Sequence, residues 1–294
     1  MWLAALLLLT GLLAGDPPPR GARPGVTGTV ETLAAFASRR VAPRDVEVWL
    51  PPGYASDAAA RYPVLYMHDG QNVFDPATAF GKVDWGVDEV MTRLVGAGQV
   101  RPTIVVAAWN TALRAPEYMP QKAVTGRDLS RWADKIPGGA SQAPLSDAYL
   151  RFLVEELKPA IDRRYRTRRG RADTFVMGSS MGGLISLYAL AEYPGVFGGA
   201  ACLSTHWPAA DGAVIDYAEK ALPRAGQHRL YFDFGTAGLD AQYEPYQQRM
   251  DGVLRAHGYT EGRDWVTRRF EGAGHDEASW KARLDVPLTF LLGK

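Results

Sequence analysis

The sequence predicts an α/β fold: a mostly parallel central sheet with helices on both faces, in a single domain. Three observations carry this. Short, continuous apolar runs recur along the chain, as strands buried on both faces of a parallel sheet require. Segments with apolar residues three and four apart alternate with them, and strand–helix alternation means parallel strands joined by crossover helices. The composition is that of a globular chain: 294 residues, 47% apolar, 22% charged, with a formal net charge of +1.

The elements follow in order. Residues 2–15, WLAALLLLTGLLAG, carry no charge. As a helix they would rise about 21 Å, short of a ~30 Å hydrocarbon core, and they read as a secretory signal peptide over residues 1–15. The expected location is secreted or periplasmic, or membrane-tethered if the run is not cleaved, with no stable membrane insertion after cleavage. Residues 16–26 are Pro/Gly-rich and read as a flexible lead-in, so the expected domain spans residues 27–294. VEVWL (46–50) alternates polar and apolar residues and stops at Pro51-Pro52, as a strand near a sheet edge does. PVLYMHDG (63–70), TIVVAAWN (103–110), TFVMGSS (174–180), LYFDFG (230–235) and DWVTRRF (264–270) are the buried-strand candidates. WGVDEVMTRLV (85–95), the segment from Ser146 to Arg166, GGLISLYALAEY (182–193) and YEPYQQRMDGVLRAHGY (243–259) read as helices, with Ser146 able to cap its own. Residues 111–145 hold repeated Pro and Gly breaks and fit no element. A loop this long inside a compact domain is usually functional, and it is expected to be a lid or site-rim loop. The basic run 163–171 reads as a solvated turn. Cys202 is the only cysteine, so no intramolecular disulfide can form, and its apolar surroundings make it a buried small hydrophobe. The near-neutral charge gives no electrostatic reason to expect nucleic acid or an anionic membrane as partner.

The chemistry concentrates at Gly178-Ser179-Ser180-Met181-Gly182, a G-x-S-x-G segment between an apolar strand and a helix. Such a strand–turn–helix presents a serine at a helix N-terminus, where backbone N–H groups favour developing negative charge. Ser180 is the nucleophile candidate. In this architecture the order is serine, acid, histidine. His275, in EGAGHDEASW after the last strand, is the expected general base. Asp240, five residues past Gly235, is the favoured acid, with Asp233 and Glu244 as alternatives. The expected oxyanion donors are the backbone N–H of Met181 and, from the loop HDGQNVFD, that of Gln71, with Gly70 supplying an unusual backbone angle. Asp69 is a candidate acceptor for a substrate hydroxyl. His68, Asp69 and Asp75 cluster in sequence, but their spacing matches no zinc motif, so no metal and no cofactor is expected.

YPVLYMHDGQNVFD, GSSMGG, GTAGLD and GAGHDEASW together resemble the Putative esterase (esterase D-like) family of the α/β-hydrolase superfamily, which includes feruloyl, acetylxylan and siderophore esterases. The resemblance runs from about residue 40 to the C-terminus. It implies an α/β-hydrolase fold, a triad of Ser180, Asp240 and His275, and oxyanion donors at Met181 and Gln71. The family's mycolyltransferases differ in carrying an apolar residue at the position of Gln71. Trp109, Asn110, His206, Trp207 and Trp280 are expected to line the substrate site, with Arg114, Glu117 and Tyr118 at the rim. Aromatics around a polar site suit a small-molecule or saccharide ester with a sugar, aryl or short acyl group. The expected activity is serine ester hydrolysis through an acyl-enzyme. The alternatives are acyl transfer by the same triad and a non-catalytic binding protein on a hydrolase scaffold.

Overall fold

The computed structural model describes residues 25–130 and 143–294. The expected signal peptide, most of the lead-in and part of the expected 111–145 loop lie outside the described residues. Within them a single sheet contains β1 (Thr29–Phe36), β2 (Arg44–Leu50), β3 (Val64–Met67), β4 (Ile104–Ala108), β5 (Thr174–Ser179), β6 (Gly199–Leu203), β7 (Arg229–Gly235) and β8 (Trp265–Phe270). Their order is β1-β2-β4-β3-β5-β6-β7-β8. β2 runs antiparallel to both β1 and β4, and every pairing from β4 to β8 is parallel.

The two-residue period of the strands sorts their side chains between two cores. Val64, Tyr66, Val176, Ala200 and Cys202 pack in one. It also takes residues of α2 (Arg114–Tyr118), α3 (Gln121–Val124), α4 (Ser146–Arg151), α5 (Lys158–Arg164), α6 (Met181–Glu192), α7 (Ala213–Ala221) and α8 (Glu244–Ala256). Leu65, Met67, Phe175, Met177, Ala201 and Leu203 pack in the other. That core includes residues of α1 (Val87–Gly96), α9 (Glu277–Ala282) and α10 (Asp285–Leu292). The result is a parallel sheet covered on both faces, with every strand carrying apolar residues to each side. α6 is buried from Met181 to Ala191, which is why its sequence is apolar all round rather than amphipathic.

Several expectations are corrected. VEVWL lies near the edge as expected, but the edge itself is β1, whose weak TVETLAAF pattern does not announce a strand. DWVTRRF, expected to be buried on both faces, forms the opposite edge strand and is half exposed along its second half. Ser146 does not cap α4; its hydroxyl accepts the Gln121 N–H at 2.8 Å instead. The helix from Ser146 continues to Arg164 through a wide π turn at Phe152–Leu157. That turn lies just before Pro159, which has no N–H to give the Glu155 carbonyl. The expected loop 111–145 contains α2 and α3, whose Tyr118, Ala123 and Val124 are core residues. A buried ion pair ties α2 to the sheet. Arg44 of β2 bonds Glu117 through Nη1–Oε2 (2.9 Å) and Nη2–Oε1 (2.6 Å), both side chains being 1% exposed.

At the other face, Asp88 in the first turn of α1 is fully buried and accepts the Thr27 N–H at 2.6 Å. The helix dipole is worth about 0.3–1 kcal/mol toward the carboxylate. Burial, reinforced by the adjacent Glu89, outweighs it and raises the Asp88 pKa from its usual 3.8 to about 7. A carboxyl whose folded pKa is raised contributes stability that is present below its unfolded pKa and lost as pH rises through the folded one. Asp88→Asn keeps an acceptor for Thr27 and cannot ionise. Its melting temperature should gain on the wild type progressively between pH 4 and pH 8, by about 5 °C at the upper end. Melts at pH 4, 6 and 8 check this, and a pH-independent difference would refute it.

Candidate active site

β5 passes into α6 through one residue, Ser180, at φ 58° and ψ −121°. This is a strained conformation for a residue with a side chain, and such strain persists only where neighbouring structure fixes it. Here the Ser180 N–H donates to the Leu203 carbonyl (2.9 Å), and the Ser180 carbonyl accepts from His206 (3.1 Å) and Gly183 (3.0 Å). The turn is tight enough that a Cβ on Gly178 would lie 2.8 Å from the Gly182 carbonyl, so glycine is required there. Met181 is the first residue of α6, and an N–H at that position has no acceptor within the helix.

Asp240 is fully buried in the turn Gly238–Gln242 after β7. Its Oδ1 lies 2.6 Å from Nδ1 of His275, in the loop after β8. A carboxylate only accepts, so Nδ1 carries the proton and Nε2 presents its lone pair. The imidazole is boxed by rings edge-on: Trp280 at 5.1 Å and 80°, Tyr243 at 5.7 Å and 90°, His206 at 6.4 Å and 63°. The alternative acids are engaged elsewhere. Asp233 is buried within β7 against Arg283, and burial raises its pKa; Glu244 is near the surface, 3.5 Å from Arg269.

The loop after β3 departs from expectation. Asp69, not Gly70, takes the left-handed conformation (φ 55°). Gly70 is needed for close approach, since a Cβ there would lie 2.6 Å from the Ala107 backbone. Gln71 is the middle residue of the 3₁₀ turn Gly70–Asn72, and its side-chain Oε1 accepts the Asn110 N–H at 3.1 Å. Asp69 gives both oxygens to the protein: Asn110 Nδ2 at 2.5 Å, and Arg114 Nε and Nη2 at 2.7 and 2.8 Å. Burial pushes its pKa up, but the Arg114 charge and these bonds prevail and hold it below the usual range. Asp69 is therefore a loop anchor: both positions on Oδ1 and one on Oδ2 are taken by the protein, and the partly exposed Arg114 lies against it. Beneath, the Tyr118 hydroxyl accepts the Asp69 N–H at 3.1 Å. His68 is buried 2.8 Å from the Tyr149 hydroxyl, and burial lowers its pKa to about 4, so it is neutral at pH 7.

The expected substrate contacts divide. Trp109 and Asn110 are half buried at the end of β4. Trp207 is in the core against Phe232, its indole N–H on Gln247 Oε1 at 3.1 Å. Trp280 is buried between Trp85 and His275 and acts as packing behind the imidazole. His206 is buried with Nδ1 2.7 Å from the Tyr243 hydroxyl. Glu117 and Tyr118, expected at the rim, are interior. Ser204, Tyr243 and Arg283 join the site without any local motif announcing them, and Glu277 joins it from within GAGHDEASW; Asn72 Nδ2 is 3.4 Å from Glu277, whose pKa burial raises. Among the described residues no helix is long and apolar enough to cross a membrane.

A family model described as Putative esterase matches residues 41–291. The chain is 27% identical over 204 residues to YbbA, an uncharacterized protein of Bacillus subtilis (strain 168), covering 69% of this chain and 72% of that one. A ferulic acid esterase structure superposes with a TM-score of 0.65 at 20% identity, over 90% of this chain and 98% of that one. The enterobactin esterase of Shigella flexneri, in the presence of enterobactin, gives a TM-score of 0.69 at 19% identity, over 92% of this chain but only 62% of that one. This chain thus spans less than two thirds of the Shigella enzyme. At such identities the structures share the fold. With the family matched over most of its length and its sheet and elbow in place, the chain belongs to the Putative esterase family, carboxylic ester hydrolases of the α/β-hydrolase fold.

Proposed function

We propose that the protein hydrolyses esters through an acyl-enzyme on Ser180, with His275 as base and Asp240 as its orienting acid. The observation that carries this reading is the 2.6 Å Asp240–His275 pair, following β7 and β8 at the same sheet end as the strained Ser180 after β5. In acylation, His275 Nε2 takes the Ser180 proton as Oγ attacks the ester carbonyl. The tetrahedral oxyanion is held by the N–H groups of Met181 and Gln71. The alcohol leaves with the proton returned by His275. Water then repeats the sequence on the acyl-enzyme, releasing the acid and restoring Ser180. The Asp240 carboxylate stabilises the imidazolium in both halves. No group outside the chain, the ester and water is needed.

Aryl, sugar-linked or short acyl esters are the substrate class we favour. Half-buried Trp109 and Asn110 supply an aromatic and an amide beside the loop of Gln71, and the ferulic acid and enterobactin esterases share the fold. A fluorophosphonate should label one residue, Ser180, and abolish p-nitrophenyl acetate turnover in proportion to labelling. Labelling elsewhere, or turnover that survives complete labelling of Ser180, would sink the reading. Feruloyl and acetyl sugar esters, tested beside a catecholate ester, then rank the acyl groups.

A further inference from the structure

We infer that Ser204 is a positioning residue, whose hydroxyl is locked as a donor to Asp240 and thereby sets the Asp240–His275 pair. This deepens the proposed triad and rests on it. Ser204 follows β6, is fully buried, and has φ 38°, a left-handed value that favours glycine. Its N–H is anchored on the Asp233 carbonyl at 3.0 Å. Three groups surround its Oγ: Arg283 Nη2 at 2.7 Å, Trp280 Nε1 at 3.0 Å and Asp240 Oδ2 at 2.5 Å.

The donor count decides the direction of each bond. Guanidinium and indole N–H groups only donate, and a hydroxyl has two lone pairs and one proton. Arg283 and Trp280 fill the lone pairs, so the proton has one acceptor left, Asp240. Arg283 cannot turn away, because Asp233 holds it through Nε–Oδ2 (3.2 Å) and Nη2–Oδ1 (2.9 Å). The Gly235 N–H adds a second donor to Asp240 Oδ2 at 2.7 Å. With Oδ2 saturated by fixed donors, Oδ1 is the oxygen left for His275. A serine kept at a glycine-favouring angle, where its only distinctive group is this hydroxyl, fits selection for the bond rather than for the turn.

The groups facing the pair are Ser204 and His206 from the segment after β6, Asp233 within β7 and Tyr243 before α8. Asp276 and Glu277 at the start of α9 and Arg283 after it complete the set. Removing a neutral donor from Asp240 raises the proton affinity of the carboxylate–imidazole pair. Without the hydroxyl the pair takes up its inactivating proton at higher pH.

Ser204→Ala and Ser204→Gly test this with p-nitrophenyl acetate. Both should lower kcat by about 10–100-fold with little change in KM, as loss of a bond to a charged group does. In both the acidic limb of the kcat/KM–pH profile should move up by about 0.5–1 unit. Glycine tolerates φ 38°, so the glycine variant should melt above the alanine variant while sharing its kinetics. The downfield His275 Nδ1 proton resonance should shift in both, a readout independent of turnover. Wild-type rates, or a uniform loss with the acidic limb unmoved, overturn the inference. Absence of fluorophosphonate labelling at Ser180 in the wild type instead overturns the triad beneath it.

Discussion

Ser180→Ala is expected to lower kcat for p-nitrophenyl butyrate by about 10⁴–10⁶-fold, with KM changed by only a few-fold. In the proposed mechanism Ser180 Oγ is the atom that is acylated, and alanine has no such atom. The residual rate should be that of water positioned by the oxyanion donors alone. His275→Ala should cost a similar factor, and the double variant little more, since the members act as a unit. Alanine keeps the strained φ of 58°, so unfolding free energy should stay within about 1 kcal/mol of wild type. Steady-state kinetics on protein with a wild-type melting curve is the measurement. A Ser180→Ala rate within tenfold of wild type would remove the nucleophile from the mechanism.

Glu117→Ala is the largest expected stability effect, a loss of about 3–5 kcal/mol. The carboxylate is the partner of Arg44, which lies 5.3 Å over the Tyr149 ring and 5.1 Å over Phe152, where water cannot solvate a stranded guanidinium. Replacing both charges together, as Arg44→Met with Glu117→Leu, should recover most of that loss, because a buried ion pair contributes little beyond an apolar pair of similar volume. Urea unfolding of the two variants decides it. A single variant within about 1 kcal/mol of wild type, or a double variant no better than the single, would refute the assignment. Because α2 also carries Arg114 and Tyr118, which brace the Asp69 loop, Glu117→Ala should lose activity along with stability.

The parts of the fold legible in the sequence are those whose burial is uniform or strictly periodic. β3, β4, β5 and β7 are continuous apolar runs because both of their faces are covered, and α6 has no polar face because it is buried throughout. β1 was not legible because it is an edge strand with one weak face. α2 was hidden by Pro116 and by Glu117, a charge that reads as surface until Arg44 is brought to it from 73 residues away.

The same division runs through the site. The sequence alone favoured Ser180, Asp240 and His275 as the candidate serine, acid and base, from the order in which such groups follow the strands of a parallel sheet, and they lie after β5, β7 and β8. It determined the elbow, since only glycine at 178 allows the backbone approach. Tertiary structure decided what each neighbour does. Asp69, a free acceptor in the sequence, is occupied by Arg114; Trp207 is core; Trp280 packs behind His275. Ser204 and Arg283 meet Asp240 across 36 and about 43 positions of chain, with no spacing rule to announce them. The proposed nucleophile, acid and base follow from local turns and strand order. Which groups saturate a buried carboxylate depends on side chains converging from separate elements, and packing alone sets that.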